Sequence, residues 1–179
     1  MNYQDILTFW FNEITAEQRF KKDEAFDELL RERFGELHES VSKGEAFSWR
    51  ESIQGRLAEV IVLDQFSRNL FRGKPESFKF DGMSLVLAQE AIRTGEINQL
   101  TLDEKAFLFM PFMHSESSAI HEIAVTLFSE EGMETYLDFE HRHFDIIKRF
   151  GRYPHRNEIL KRESTAEEVA FLKEPNSSF

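Results

Sequence analysis

Phe26-Asp27-Glu28-Leu29-Leu30-Arg31-Glu32-Arg33-Phe34-Gly35-Glu36-Leu37-His38-Glu39-Ser40-Val41 carries its apolar side chains at 26, 29, 30, 34, 37 and 41. Intervals of three and four put these side chains on one face of an α-helix. The same spacing recurs along nearly the whole chain, and no two-residue alternation persists, so no sheet is expected. The spacing predicts helices at about 3–14, 23–43, 50–72, 82–94, 102–113, 117–131, 133–150 and 166–173. Short connections between them favour antiparallel neighbours. The expected fold is therefore all-α: about eight helices in stacked antiparallel hairpins, forming one domain over residues 1–179.

Stop and start signals support these limits. Gly44, Gly73, Gly95, Gly132 and Gly151 each follow a periodic stretch, where a helix end needs a residue tolerant of positive φ. Ser48 with Glu51, Thr101 with Glu104, and Thr165 with Glu168 have capping-box spacing.

Composition narrows the function classes. With 41% hydrophobic residues, the chain has ample apolar surface to bury, and its 19 Phe point to ring packing between helices. The net charge of -11 opposes binding to phosphate backbones and anionic lipid, so neither nucleic acid nor membrane is an expected partner. The absence of cysteine removes disulfides, zinc–thiolate sites and thiol catalysis. Neither a basic, apolar leader at Met1-Asn2-Tyr3-Gln4-Asp5 nor an apolar run of about 18 residues is seen, and a cytoplasmic location is expected.

Three constellations stand out. Ile53, Leu57, Val60 and Ile61 define one face of the third helix, and Asp64 and Arg68 fall within it. Val62, Leu63, Phe66 and Leu70 make the other side apolar too, marking a central helix. Asp64 and Arg68 must then pair, either as a register-fixing ion pair or as a pocket wall with Arg72 at its rim. Next, the apolar run Phe107 to Met113 contains Pro111, which predicts a kink or an end that delivers His114, Ser115 and Glu116. His114 and Glu116 read as an acid/base pair, as two metal ligands, or as a core histidine with a cap at Ser115.

The third constellation is basic. From Arg142 to Arg162, seven Lys and Arg face two acidic residues, a local +5 in a chain of -11. His143 falls on the apolar face of its helix between Tyr136 and Phe150. After it, Gly151-Arg152-Tyr153-Pro154-His155-Arg156-Asn157 forms a Pro-bearing turn rich in donors that suit an anion, unless its arginines pair with the chain's many carboxylates. The sequence holds no G-x-S-x-G, Walker loop, G-x-G-x-x-G or H-E-x-x-H. His141 and His143 diverge on a helix, and no metal or cofactor is expected.

These segments resemble a widespread bacterial family, domain of unknown function 924, whose fold is similar to tetratricopeptide-repeat helical arrays. The resemblance rests on Ile6 to Phe11, Leu63 to Arg72, Phe107 to Glu116, Ile146 to Asn157 and the Ser164 to Glu168 cap. Two positions depart from it: Lys161 stands where the family pattern has Gly, and Ser117 to His121 lacks an acidic residue and a Gln. The resemblance implies a tetratricopeptide-like superhelix and carries no activity.

The sequence reading is thus a cytosolic helical protein whose three polar segments converge on an internal cleft that binds a small anionic or phosphorylated ligand, with or without turning it over. Asp64, Arg68, Asn69, Arg72, His143, Arg149, Arg152, Arg156 and Asn157 are the expected binding residues, and His114, Glu116 and His155 the expected proton-transfer residues. The alternative is a scaffold whose groove grips an acidic or C-terminal carboxylate peptide.

Overall fold

The computed structural model describes residues 1–178. Among the described residues there are nine helices and no strand. Helix α1 spans 3–13, an α-helix Tyr3–Thr8 running into a π-helical turn Phe9–Glu13. It is followed by α2 (Ala16–Phe20) and α3 (Glu24–Ser42). Helix α4 spans 53–70 and is composed of Ile53–Ile61, the π-helical turn Val62–Phe66 and Ser67–Leu70. The remainder are α5 (Asp81–Arg93), α6 (Leu102–Met113), α7 (Ser118–Phe128), α8 (Glu134–Phe150) and α9 (Ala166–Phe171). None of them is long and apolar enough to cross a membrane.

The described chain divides into two compact units, one of residues 1–72 and 76–111, the other of 73–75 and 112–178. In the first, α4 is the central helix and packs against α1, α3 and α5. Its side chains are buried on every side, because apolar residues occupy both faces, as the sequence implies. A continuous ring cluster fills this core. Phe34 lies 4.7 Å from Phe9 and 5.1 Å from Phe66, and Trp10 lies 5.6 Å from Phe66 and 5.5 Å from Phe107. In the second unit α7 packs against α8, and Ile146, Ile147, Tyr153 and Phe171 form an apolar cluster at the C-terminal end of α8.

The five predicted glycine stops all have positive φ, and Gly151 closes α8 at φ 68 with its amide on the Ile147 carbonyl. The Thr101–Glu104 and Thr165–Glu168 boxes also form. Three expectations need correction. Ser48 does not start the central helix. Residues Phe47–Glu51 make a 3-10 turn, and Ser52 caps α4 by accepting from the Gly55 amide at 3.1 Å. Ser115 is not the cap of α7, whose preceding residue is Ser117. Finally, α2 was not expected, because it buries no apolar side chain and so leaves no apolar stripe; the Thr15–Gln18 capping box holds it instead. Pro111 falls in the last turn of α6, which ends two residues later. Lys161, the departure from the family pattern, has φ 55, a left-handed conformation that favours glycine.

Candidate functional site

In the first unit, the segment Leu63 to Arg72 acts as a set of anchors. Arg68 donates to both carboxylate oxygens of Asp81, at 3.0 and 3.1 Å, and lies 3.2 Å from Asp64, which is fully buried. Asn69 and Arg72 converge on buried Asp27 of α3: Asn69 Nδ2 donates to Oδ1 at 2.8 Å, and the Arg72 fork donates at 2.5 and 2.8 Å. The sequence-predicted pairing of Asp64 with Arg68 exists, but Asp81 shares it and Asp27 takes Arg72. Near the start of α4, Arg50 likewise makes a two-pronged bond to buried Glu59 at 2.7 and 2.6 Å.

Ser67 forms the third anchor. Its hydroxyl lies 2.6 Å from the Leu63 carbonyl and 2.8 Å from Nε2 of His38. The carbonyl can only accept, so Ser67 spends its proton there, and its oxygen accepts from His38 Nε2–H. Buried Ser67 is a strut, not a nucleophile. Burial pushes the His38 imidazole down to about 4, so the ring is neutral at pH 7. Phe71 and Phe80 stand edge-on to it, with centroids at 5.3 and 5.4 Å.

His38 and its two flanking rings line a surface cleft of about 370 Å³ in the first unit. His38, Leu70, Phe71 and Phe80 give it an apolar floor, and Arg31, Glu39, Glu76 and Lys79 also line it. Glu39 is paired with Lys43 at 2.7 Å. Arg31 pairs with Glu28 and donates to the Leu70 carbonyl at 3.3 Å. Lys79 lies over the Phe80 ring at 5.4 Å and has no carboxylate partner among the described residues.

The other predicted residues lie in the second unit, where the basic segment is largely committed to carboxylates. Arg152 makes a two-pronged bond to Glu168 at 2.7 and 2.8 Å, and Asn157 adds a donor at 3.3 Å. These donors hold the Glu168 carboxyl down at about 2. Glu116 receives the Arg162 fork at 2.7 and 2.9 Å and the Tyr153 amide at 2.7 Å. Although burial raises its pKa, those donors outweigh it and hold the carboxyl below the usual range. Arg156 is buried, stacks 4.7 Å over Tyr153 and donates to the His114 carbonyl at 3.0 Å. Arg149 pairs with Glu167 at the surface.

His143 does point inward. It is buried, its Nδ1 donates to the Phe139 carbonyl at 2.7 Å, and burial pushes its pKa down to about 3. His155 packs against Tyr153 with centroids 5.6 Å apart. Behind Tyr153 lies a pair that sequence reasoning missed. His121 and Glu140 are both fully buried, with Nδ1 2.6 Å from Oε1, and His121 Nε2 faces the Ser115 carbonyl at 2.8 Å. Because that carbonyl only accepts, Nε2 keeps a proton, and His121 and Glu140 share a second one. Burial raises the Glu140 carboxyl.

The missed residues divide by their signal. His38 had one: it follows Phe34 by four positions on the apolar face of the stretch Phe26 to Val41. Asp27, Asp81 and Glu140 had none, since each meets its partner only through tertiary packing; Glu168 showed its capping-box spacing with Thr165 but not its arginine partner. The structure sets Arg68 on Asp81 and Asn69 and Arg72 on Asp27, and it brings Glu116, Arg152, Arg156 and Asn157 into one network around Tyr153.

A family model described as "Bacterial protein of unknown function (DUF924)" matches residues 6–176. Among solved structures, the protein of unknown function ATU0120 from Agrobacterium tumefaciens is 38% identical, with 96% of each chain covered and a TM-score of 0.90. No curated protein matches the chain.

Proposed function

Since this chain belongs to the DUF924 family of bacterial proteins, we propose, from the geometry of its first unit, that it binds a small organic anion in the His38 cleft. The ligand is a carboxylate or phosphate ester with an apolar body: the body lies on Leu70, Phe71 and Phe80, and the anion meets Lys79 and Arg31. Lys79 carries this reading, because it is a cation at the cleft with no carboxylate partner among the described residues. Here the site differs from the sequence expectation. Arg68, Arg72 and Arg152 already hold buried or half-buried carboxylates, and an incoming anion would have to displace them. On this reading the helical hairpins, stacked in a tetratricopeptide-like manner, serve to hold the cleft, and the protein acts in the cytoplasm without nucleic acid or membrane.

Thermal melts with 3-phenyllactate, 3-phosphoglycerate and inorganic phosphate test the proposal. A ligand at 100 times its dissociation constant stabilises by about 2.7 kcal/mol, or roughly 5 to 10 °C at this chain length. We expect at least one organic anion to shift wild type and Lys79→Glu to lose the shift without a change in the unliganded melt. If no anion shifts wild type, or if the shift survives in both Lys79→Glu and Arg31→Glu, the proposal fails.

A further inference from the structure

We infer that His38 is the specificity-determining residue of this cleft, selecting anions that also carry a hydroxyl or amine donor over the same anions without one. The inference rests on the cleft reading above and adds the ligand's second functional group. It starts from the Ser67 hydroxyl. Because that proton goes to the Leu63 carbonyl at 2.6 Å, His38 must donate from Nε2 at 2.8 Å, and the ring is fixed as the Nε2–H tautomer. Nδ1 then carries a bare lone pair, and His38 makes no other hydrogen bond among the described residues. Phe71 and Phe80 flank the ring edge-on and line the same cleft, so neither supplies a donor to Nδ1. Burial also keeps the ring uncharged at neutral pH, so Nδ1 accepts and does not donate.

A ligand donor that reaches Nδ1 satisfies an acceptor that is otherwise left in an aromatic surround; an analogue without the donor leaves that acceptor unmet. The cleft is therefore built for a hydroxy or amino acid, or a similarly substituted phosphate ester, with Lys79 on the anion and His38 on the adjacent donor.

Three acids with one carbon skeleton separate the two groups: 3-phenylpropionate, 3-phenyllactate and phenylalanine. Their dissociation constants for the full chain are read by ligand-observed NMR titration. The donor-bearing acids should bind about tenfold tighter than 3-phenylpropionate. His38→Gln places an amide donor where Nε2 stood and leaves no acceptor at the Nδ1 position, so it should close the gap by weakening only the donor-bearing acids. His38→Asn, whose carbonyl stands near Nδ1, should keep part of the gap. In the unaltered protein, imidazole nitrogen spectra read the tautomer directly, and a bare Nε2 overturns the inference whatever the variants do. Equal binding of the three acids, or a gap that survives His38→Gln, also overturns it while leaving the Lys79-dependent anion site standing. If none of the acids binds, the cleft reading falls and this inference with it.

Discussion

Asp27 has a heavy polar role in the first unit, because three donors from two residues end on its carboxylate. Removing it would strand buried Asn69 and the Arg72 guanidinium together. Asp27→Ala should therefore destabilise the first unit by about 3 to 5 kcal/mol, measured by urea melts; a loss under about 1 kcal/mol would mean that water replaces the carboxylate. Asp64→Ala should lose less, about 1 to 3 kcal/mol, because Asp81 still holds Arg68. The contrast shows what the sequence could convey about these residues. Asp64 and Arg68 are one helical turn apart, so their pairing was legible from spacing alone. Asp27 lies more than forty positions before Asn69 and Arg72, and no local rule links them. The same limit applies to Arg152, whose donor geometry was legible but whose partner, Glu168, belongs to another helix. An arginine fork is equally suited to an internal carboxylate and to a ligand, and only the fold says which it meets.

Helix α4 combines what the periodicity predicts with a feature it cannot predict. Apolar residues on both faces identify it as central, and all of Leu57, Val60, Ile61, Leu63 and Phe66 are buried. A wheel of fixed step assumes one continuous α-helix, however, and the π-helical turn Val62–Phe66 shifts the phase of the residues C-terminal to it. This shift accompanies the change from apolar packing to the anchors Ser67, Arg68 and Asn69 within a few residues. The start of the helix is set by a close approach instead of by apolar spacing. A side-chain carbon at Gly55 would lie 1.9 Å from the Trp49 carbonyl oxygen, so the 3-10 turn Phe47–Glu51 can fold back only against a glycine. Gly55→Ala raises intrinsic helix propensity by about 1 kcal/mol, yet it should destabilise the protein by roughly 2 to 4 kcal/mol through that clash. Thermal melts compared with Gly35→Ala, where the added carbon meets nothing within 4 Å, separate the two effects. A stabilised Gly55→Ala would show that the turn yields freely.

Across the whole molecule, each unit buries a neutral histidine, His38 in the first and His143 in the second, and this predicts how the protein responds to acid. Both folded-state values lie below the ordinary histidine value of about 6.5, at about 4 and about 3. Between those values and 6.5 the unfolded chain binds a proton that the folded ring refuses, so stability falls as pH drops through this window. By pH 4.5 each histidine should remove on the order of 2 to 3 kcal/mol relative to pH 7. Glu140 acts in the opposite direction, since its carboxyl is raised and its folded state gains as pH falls toward the ordinary carboxylate range. Glu116 and Glu168 are lowered, so their stabilising bonds are lost only below that range. Wild type alone therefore mixes terms of both signs, and the variants separate them. Urea melts at pH 7 and pH 4.5 on wild type, His38→Gln and His143→Gln should give a smaller acid loss in each variant, because glutamine does not titrate. Whatever cost glutamine imposes is common to both pH values and cancels in the difference, as does the Glu140 contribution. If either variant loses as much stability as wild type over this interval, that histidine is already protonated in the folded protein or reaches water freely. For His38 that result would also undo the bare Nδ1 acceptor on which the selectivity of the cleft depends.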